Sequence, residues 1–118
     1  MVRKYQDMPV QTREHMRDGD GAVKLTEILT QKELMGQGRL FSQITLEPGC
    51  SIGTHEHKDE AEIFFLLQGE AQADDNGTPV TLRPGDMLYT GPGCYHSIAN
   101  RSSEPVRLVA LILFDEAH

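Results

Sequence analysis

Glycine and proline punctuate the second half of the chain at short intervals: Pro48-Gly49, Gly69, Gly77, Pro79, Pro84-Gly85, Gly91-Pro92-Gly93 and Pro105. The runs between them carry β-branched and aromatic residues. Many short strands separated by regular turn signals predict an all-β sandwich or barrel. Leu40 to Leu46 reads as one strand. Glu62 to Gln68 reads as another, and its apolar residues on both parities predict burial on both faces. Asp75-Asn76-Gly77 is a hairpin turn, because Asn and Gly tolerate the positive φ that a tight hairpin requires. It joins a strand ending near Asp74 to one over Thr78 to Leu82. Met87 to Tyr89, His96 to Asn100 and Val106 to Phe114 complete the set.

The first third carries weaker signals. Thr12 to Gly21 is polar and glycine-bearing, and reads as loop. Ala22 to Leu29 fits both a strand, through Val23 and Leu25, and a helix, through Leu25, Ile28 and Leu29. The β character of the rest favours the strand. Gln31 to Met35 fits a single helical turn. The organisation expected is an N-terminal arm over residues 1–21 and one barrel domain over residues 22–118, since 118 residues leave no room for a second.

The net charge of −7 sets the exterior against nucleic acid and anionic lipid as partners. No apolar run follows the basic residues Arg3 and Lys4, so a secretory signal is not expected, and no stretch approaches the length of a membrane span. Cys50 and Cys94 form neither a CxxC pair nor a framework. A cytoplasmic home is the simplest reading, with a single disulfide between them left open.

Chemistry concentrates in two short segments. In the first, Gly49 to Glu62, His55 and His57 stand two residues apart and therefore project to one side of a strand. Glu62 begins the next strand after a short turn and can fold back beside them. The second segment, Gly85 to Asn100, can bring His96 from a distant part of the chain. Three imidazoles and one carboxylate suit Fe, Mn, Ni, Co, Zn or Cu, and do not suit Ca or Mg. A six-coordinate ion so held keeps positions open for water or substrate.

The spacing Gly49-x5-His55-x-His57-x4-Glu62-x6-Gly69 resembles the first motif of the cupin superfamily. Gly85-x7-Gly93-x2-His96-x3-Asn100 resembles the second, with Gly91 where the family usually has Pro, and Pro92 after it. The resemblance implies a double-stranded β-helix, or jelly-roll barrel, with His55, His57, Glu62 and His96 pointing inward at one divalent transition metal ion. It also implies a homodimer, as is common for small cupins. It leaves the reaction open. A metal-dependent enzyme on a small molecule, dioxygenase- or isomerase-like, stands beside a non-enzymatic module that binds a small ligand or sugar or acts as a sensor.

Several neighbours are weighed against plainer roles. Glu60 shares the parity of Glu62, but the resemblance favours Glu62; its plainer role is a solvated turn residue. Phe64 and Ile98 share parity with Glu62 and His96 and are candidates to line the cavity, against simple core packing. Cys94 and Tyr89 are further pocket candidates, and Tyr95 offers a hydroxyl. Cys50, His15 and the terminal His118 read as structural or exposed. No catalytic acid or base is identifiable beyond the ligands, with Tyr89, Tyr95 and Glu60 the only candidates. Arg39, Arg83, Arg101 and Arg107 are scattered, with no convergent cluster that demands a carboxylated or phosphorylated ligand.

Overall fold

The computed structural model describes residues 1–115. Its ten strands are β1 (Val10–Glu14), β2 (Ala22–Leu29), β3 (Gly38–Leu46), β4 (Ser51–Glu56), β5 (Glu60–Gln68), β6 (Ala71–Asp75), β7 (Thr78–Leu82), β8 (Met87–Thr90), β9 (Tyr95–Ala99) and β10 (Val106–Phe114). They form a six-stranded sheet in the order β1-β2-β3-β10-β5-β8 and a four-stranded sheet in the order β4-β9-β6-β7. Every pairing is antiparallel. The result is a jelly-roll: two sheets whose inner faces share one core.

Strand alternation supplies that core. On β10, Val106, Leu108, Ala110 and Ile112 point inward, and meet Ile44 and Leu46 from β3. Ile52, Ile98 and Ala73 answer from the other sheet. The hairpin between β6 and β7 turns on Asn76 (φ 50°) and Gly77 (φ 98°), the two positive φ values of a tight hairpin turn.

Two expectations need correction. Thr12 to Gly21 is not all loop, because Val10–Glu14 pairs in register with β2. Every residue of this edge strand is exposed, so backbone bonding holds it and no apolar periodicity announces it. Nor is Glu62 to Gln68 buried on both faces. Phe64 and Leu66 enter the core, whereas Phe65 and Leu67 are 44% and 46% exposed. The apolar residues of the second parity lie on the outer face of the six-stranded sheet, where no further layer among the described residues covers them. Ala22 to Leu29 is a strand, and the turn within Gln31 to Met35 is a short 3-10 helix over Lys32–Leu34.

The segment between β1 and β2 packs against β4. A Cβ on Gly53 would stand 2.0 Å from the Arg17 carbonyl oxygen, and one on Gly19 would stand 2.3 Å from that of Ser51. Only glycine permits two backbones to approach this closely.

Candidate metal centre

His55 lies near the end of β4, His57 just beyond it, Glu62 on β5 and His96 on β9. Both sheets therefore contribute. His55 and His96 are register partners across β4 and β9, and the irregularity between Ile52 and His55 sets where the histidine side chains aim. The His57 backbone is fixed on both sides, its N–H donating to Cys94 O (2.9 Å) and its carbonyl accepting from Gly93 N (2.7 Å).

The structure brings the four sequence candidates together. Each offers one ligand atom, and these atoms all lie within 4.8 Å of one another. His96 Nε2 is 3.0 Å from the Nε2 of both His55 and His57. Glu62 Oε1 is 2.8 Å from His57 Nε2, 3.1 Å from His96 Nε2 and 3.9 Å from His55 Nε2. Donors about 2.1 Å from a shared ion and at right angles to one another stand about 3.0 Å apart.

The opposite edges of the rings explain why a cation fits. His55 Nδ1 donates to the Gly53 carbonyl (2.8 Å) and His57 Nδ1 donates to Glu60 Oε2 (2.8 Å). In neutral rings those bonds leave the lone pair on Nε2, facing the cluster. His96 Nδ1 meets Thr90 Oγ1 at 2.7 Å, and its ring stacks on Phe64 with centroids 4.8 Å apart. Nitrogen lone pairs crowded around a buried carboxylate repel one another unless a proton or a metal cation lies between them. Orienting a ligand histidine through its other nitrogen is the usual arrangement in metal sites.

The titration behaviour of the bare cluster follows from the same contacts. Burial works to raise Glu62, but hydrogen bonds from His55, His57 and His96 outweigh it and hold the carboxyl well below the usual carboxylate range. Burial works to lower His57, and the contacts with Glu62 and Glu60 more than reverse it. His96 is lowered, chiefly by burial. Burial likewise works to raise Glu60, yet Arg39 and His57 hold it low.

His55, His57 and Glu62 border a cavity of about 450 Å³. Of the four pocket candidates, Phe64 lines it and the other three do not. On β8 the alternation turns Leu88 and Thr90 inward and Tyr89 outward, 54% exposed. Ile98 packs in the hydrophobic core. Cys94 serves through its backbone carbonyl on His57. Cys50 and Cys94 are both free thiols. His118 lies outside the described residues.

The structure revises the roles expected of Glu60 and Arg39 and adds Thr90, Arg13 and Arg17. Glu60 is no solvated turn residue, because it accepts from His57 and takes both Nε and Nη2 of Arg39 at 2.8 Å each. Replacing it with glutamine removes the charge that orients His57, so metal affinity should fall about ten- to a hundredfold. A chelator-competition titration of the variant beside wild type reads this directly. Thr90 had a signal in the sequence, since it shares Leu88's parity. The arginines are the larger correction. Arg13, Arg17 and Arg39 all border the cavity. Two of them come from the segment with no apolar pattern, so their convergence could not be read from spacing.

The cupin domain family matches residues 42–112. A Thermotoga maritima protein described as an oxalate-binding protein is 34% identical over 113 residues, covering 96% of this chain and 93% of its own length. The crystal structure of a T. maritima protein described as a predicted oxalate decarboxylase superposes with a TM-score of 0.93 at 33% identity, covering 97% of this chain and 99% of that one. The cupin domain of Schizosaccharomyces pombe Cnp3 has the same fold, with a TM-score of 0.72 at 18% identity over 92% of this chain and 71% of that one.

Proposed function

This chain belongs to the cupin family, and we propose that it holds one divalent transition metal ion through His55, His57, Glu62 and His96 and binds a small carboxylate, oxalate by analogy with its relative, in the cavity beside that ion. The observation that carries the reading is the convergence of four donor atoms beside a cavity bordered by three arginines. The metal supplies a Lewis-acidic centre with positions left for an anionic oxygen. The arginines supply the opposite charge to a carboxylate, in a chain that is acidic overall.

Binding is favoured over acid–base catalysis by what borders the cavity. Among the described residues that line it, Glu62 is the one carboxylate, and no tyrosine, cysteine or serine joins it. Glu60 is engaged by Arg39 and His57. A dioxygenase- or isomerase-like reaction therefore has to draw on the metal with little help from proton-transfer groups. Calorimetry of metal-loaded protein with oxalate should show a single saturable site that is absent from metal-free protein, with oxalate recovered unchanged. Formate and carbon dioxide in the recovered sample would move the assignment to a decarboxylase.

The proposal includes a homodimer in the cytoplasm. Phe65, Leu67, Met87, Tyr89 and Leu113 are exposed on neighbouring strands of the six-stranded sheet. Phe65 pairs with Met87, and Ile63 with Tyr89, so the apolar row is continuous. A second copy is the simplest cover for it. Sedimentation velocity should give a dimer for wild type and a monomer for Phe65→Asp, with metal content unchanged. The two free thiols suit a reducing compartment. No helix among the described residues is long and apolar enough to cross a membrane.

A further inference from the structure

Polar, apolar and cationic side chains all border the cavity. The buried His57 and Glu62 are among them. Leu25, Ile44, Ile52 and Phe64, all buried, form the walls. Exposed Arg13, on β1, and exposed Arg17, in the segment that packs against β4, also border it. A second cavity shares Arg13, Leu25, Gln31, Arg39 and Leu40 with the first, so the space continues along the same wall.

The arginines differ in how committed they are. Glu60 takes both Nε and Nη2 of Arg39. Arg13 donates to the neutral Gln11 side chain at 3.2 Å. Among the described residues, neither Arg13 nor Arg17 has a carboxylate within ion-pair distance.

The segment that carries Arg17 is built rather than loose. His15, Arg17 and Asp18 all hold positive φ (49°, 55° and 63°), a costly conformation for residues with a side chain. Met16 packs on the core. Asp20 N donates to Ser51 Oγ (2.8 Å), and Ser51 N donates to the Asp20 carbonyl (2.9 Å). Arg17's carbonyl lies against Gly53, whose own carbonyl accepts from His55 Nδ1. Arg17 and His55 are thus both positioned by β4.

We propose that Arg13 and Arg17 form a second anchoring point, and that the ligand of this cavity is a dicarboxylate with an apolar spacer, longer than oxalate. One carboxylate meets the metal centre and the other meets the guanidinium pair, while the methylenes lie along the apolar walls. Oxalate has no spacer and occupies only a small part of about 450 Å³. This inference rests on the metal-centred reading given above.

The test is calorimetry on protein loaded with Co(II), whose visible absorption reports independently on anions entering the coordination sphere. Glutarate, oxalate and pentanoate are titrated into wild type, Arg13→Ala/Arg17→Ala and Arg13→Lys/Arg17→Lys. Wild type should bind glutarate at least about tenfold more tightly than either pentanoate or oxalate, the scale of charge-assisted hydrogen bonds. The alanine pair should bind glutarate no better than pentanoate, and the lysine pair should recover part of the preference. Equal affinities for glutarate and pentanoate in wild type, a tighter oxalate complex, or a preference that survives the alanine pair would overturn the inference while leaving the metal centre intact. A protein that takes up no Co(II) would overturn the metal-centred reading, and this inference with it.

Discussion

Replacing His57 with alanine should take bound metal from about one equivalent to none, and should abolish the rise in melting temperature that added metal gives the wild-type protein. Of the four donors, His57 is the one tied most completely into the fold. Its ring is 2% exposed, its N–H and carbonyl are both bonded to the Gly93-Cys94 turn, and its two ring nitrogens face Glu60 and Glu62. Removing the ring leaves the buried Glu62 carboxylate without its shortest contact and opens a gap in the donor set that only water can fill. Metal at a hundred times its dissociation constant stabilises a folded protein by about 2.7 kcal/mol. That increment should appear in wild type and vanish in the variant. Elemental analysis of untagged protein prepared without chelator, followed by thermal melts with and without Zn(II), measures both halves. Metal content equal to wild type in the variant would exclude His57 from the donor set.

That His55 and His57 could share a site was legible from their spacing, while the resemblance supplied the choice of Glu62 over Glu60, and the structure brings these residues together with His96. His55 and His57 share a parity, and Glu62 follows after one short turn. Val106 to Phe114 was equally legible, since its alternation feeds the core directly. What could not be read is what depends on an outer or unpatterned surface. The strand Val10–Glu14 buries nothing, so its place was invisible, and with it the route by which Arg13 and Arg17 reach the cavity. Phe65 and Leu67 carry the composition of a core but face outward, because hydrophobicity does not say whether the covering layer belongs to the same chain. Glu60 was weighed as a rival to Glu62. Its actual partners, Arg39 twenty-one residues earlier and His57 three residues earlier, show the same-parity carboxylate orienting a histidine from behind.

That pairing has a consequence for pH. With no metal bound, His57 lies between two carboxylates and its pKa stands above the ordinary 6.5. Its proton contributes stability to the metal-free fold that is full below 6.5 and fades as pH rises through the higher folded value. His96 acts in the opposite sense. Burial lowers it, so acidification below 6.5 costs stability there. Glu62 is depressed, and its contribution is present above 4.5 and lost only in stronger acid. A metal ion needs the His57 lone pair and must displace its proton. Metal affinity should therefore rise with pH by up to about tenfold per unit, and level off once pH exceeds the raised His57 value. Glu60→Gln removes one of the two charges that hold that proton. Its profile should level off at lower pH, even though its plateau affinity is weaker. Zn(II) titrations against a competing chromophoric chelator, from about pH 5.5 to about pH 8, resolve both features. A flat profile in wild type would mean that no donor proton is lost on binding, and would remove His57 from the cluster as described. A wild-type slope with an unshifted Glu60→Gln profile would keep His57 as a donor and assign its proton to Glu62 alone.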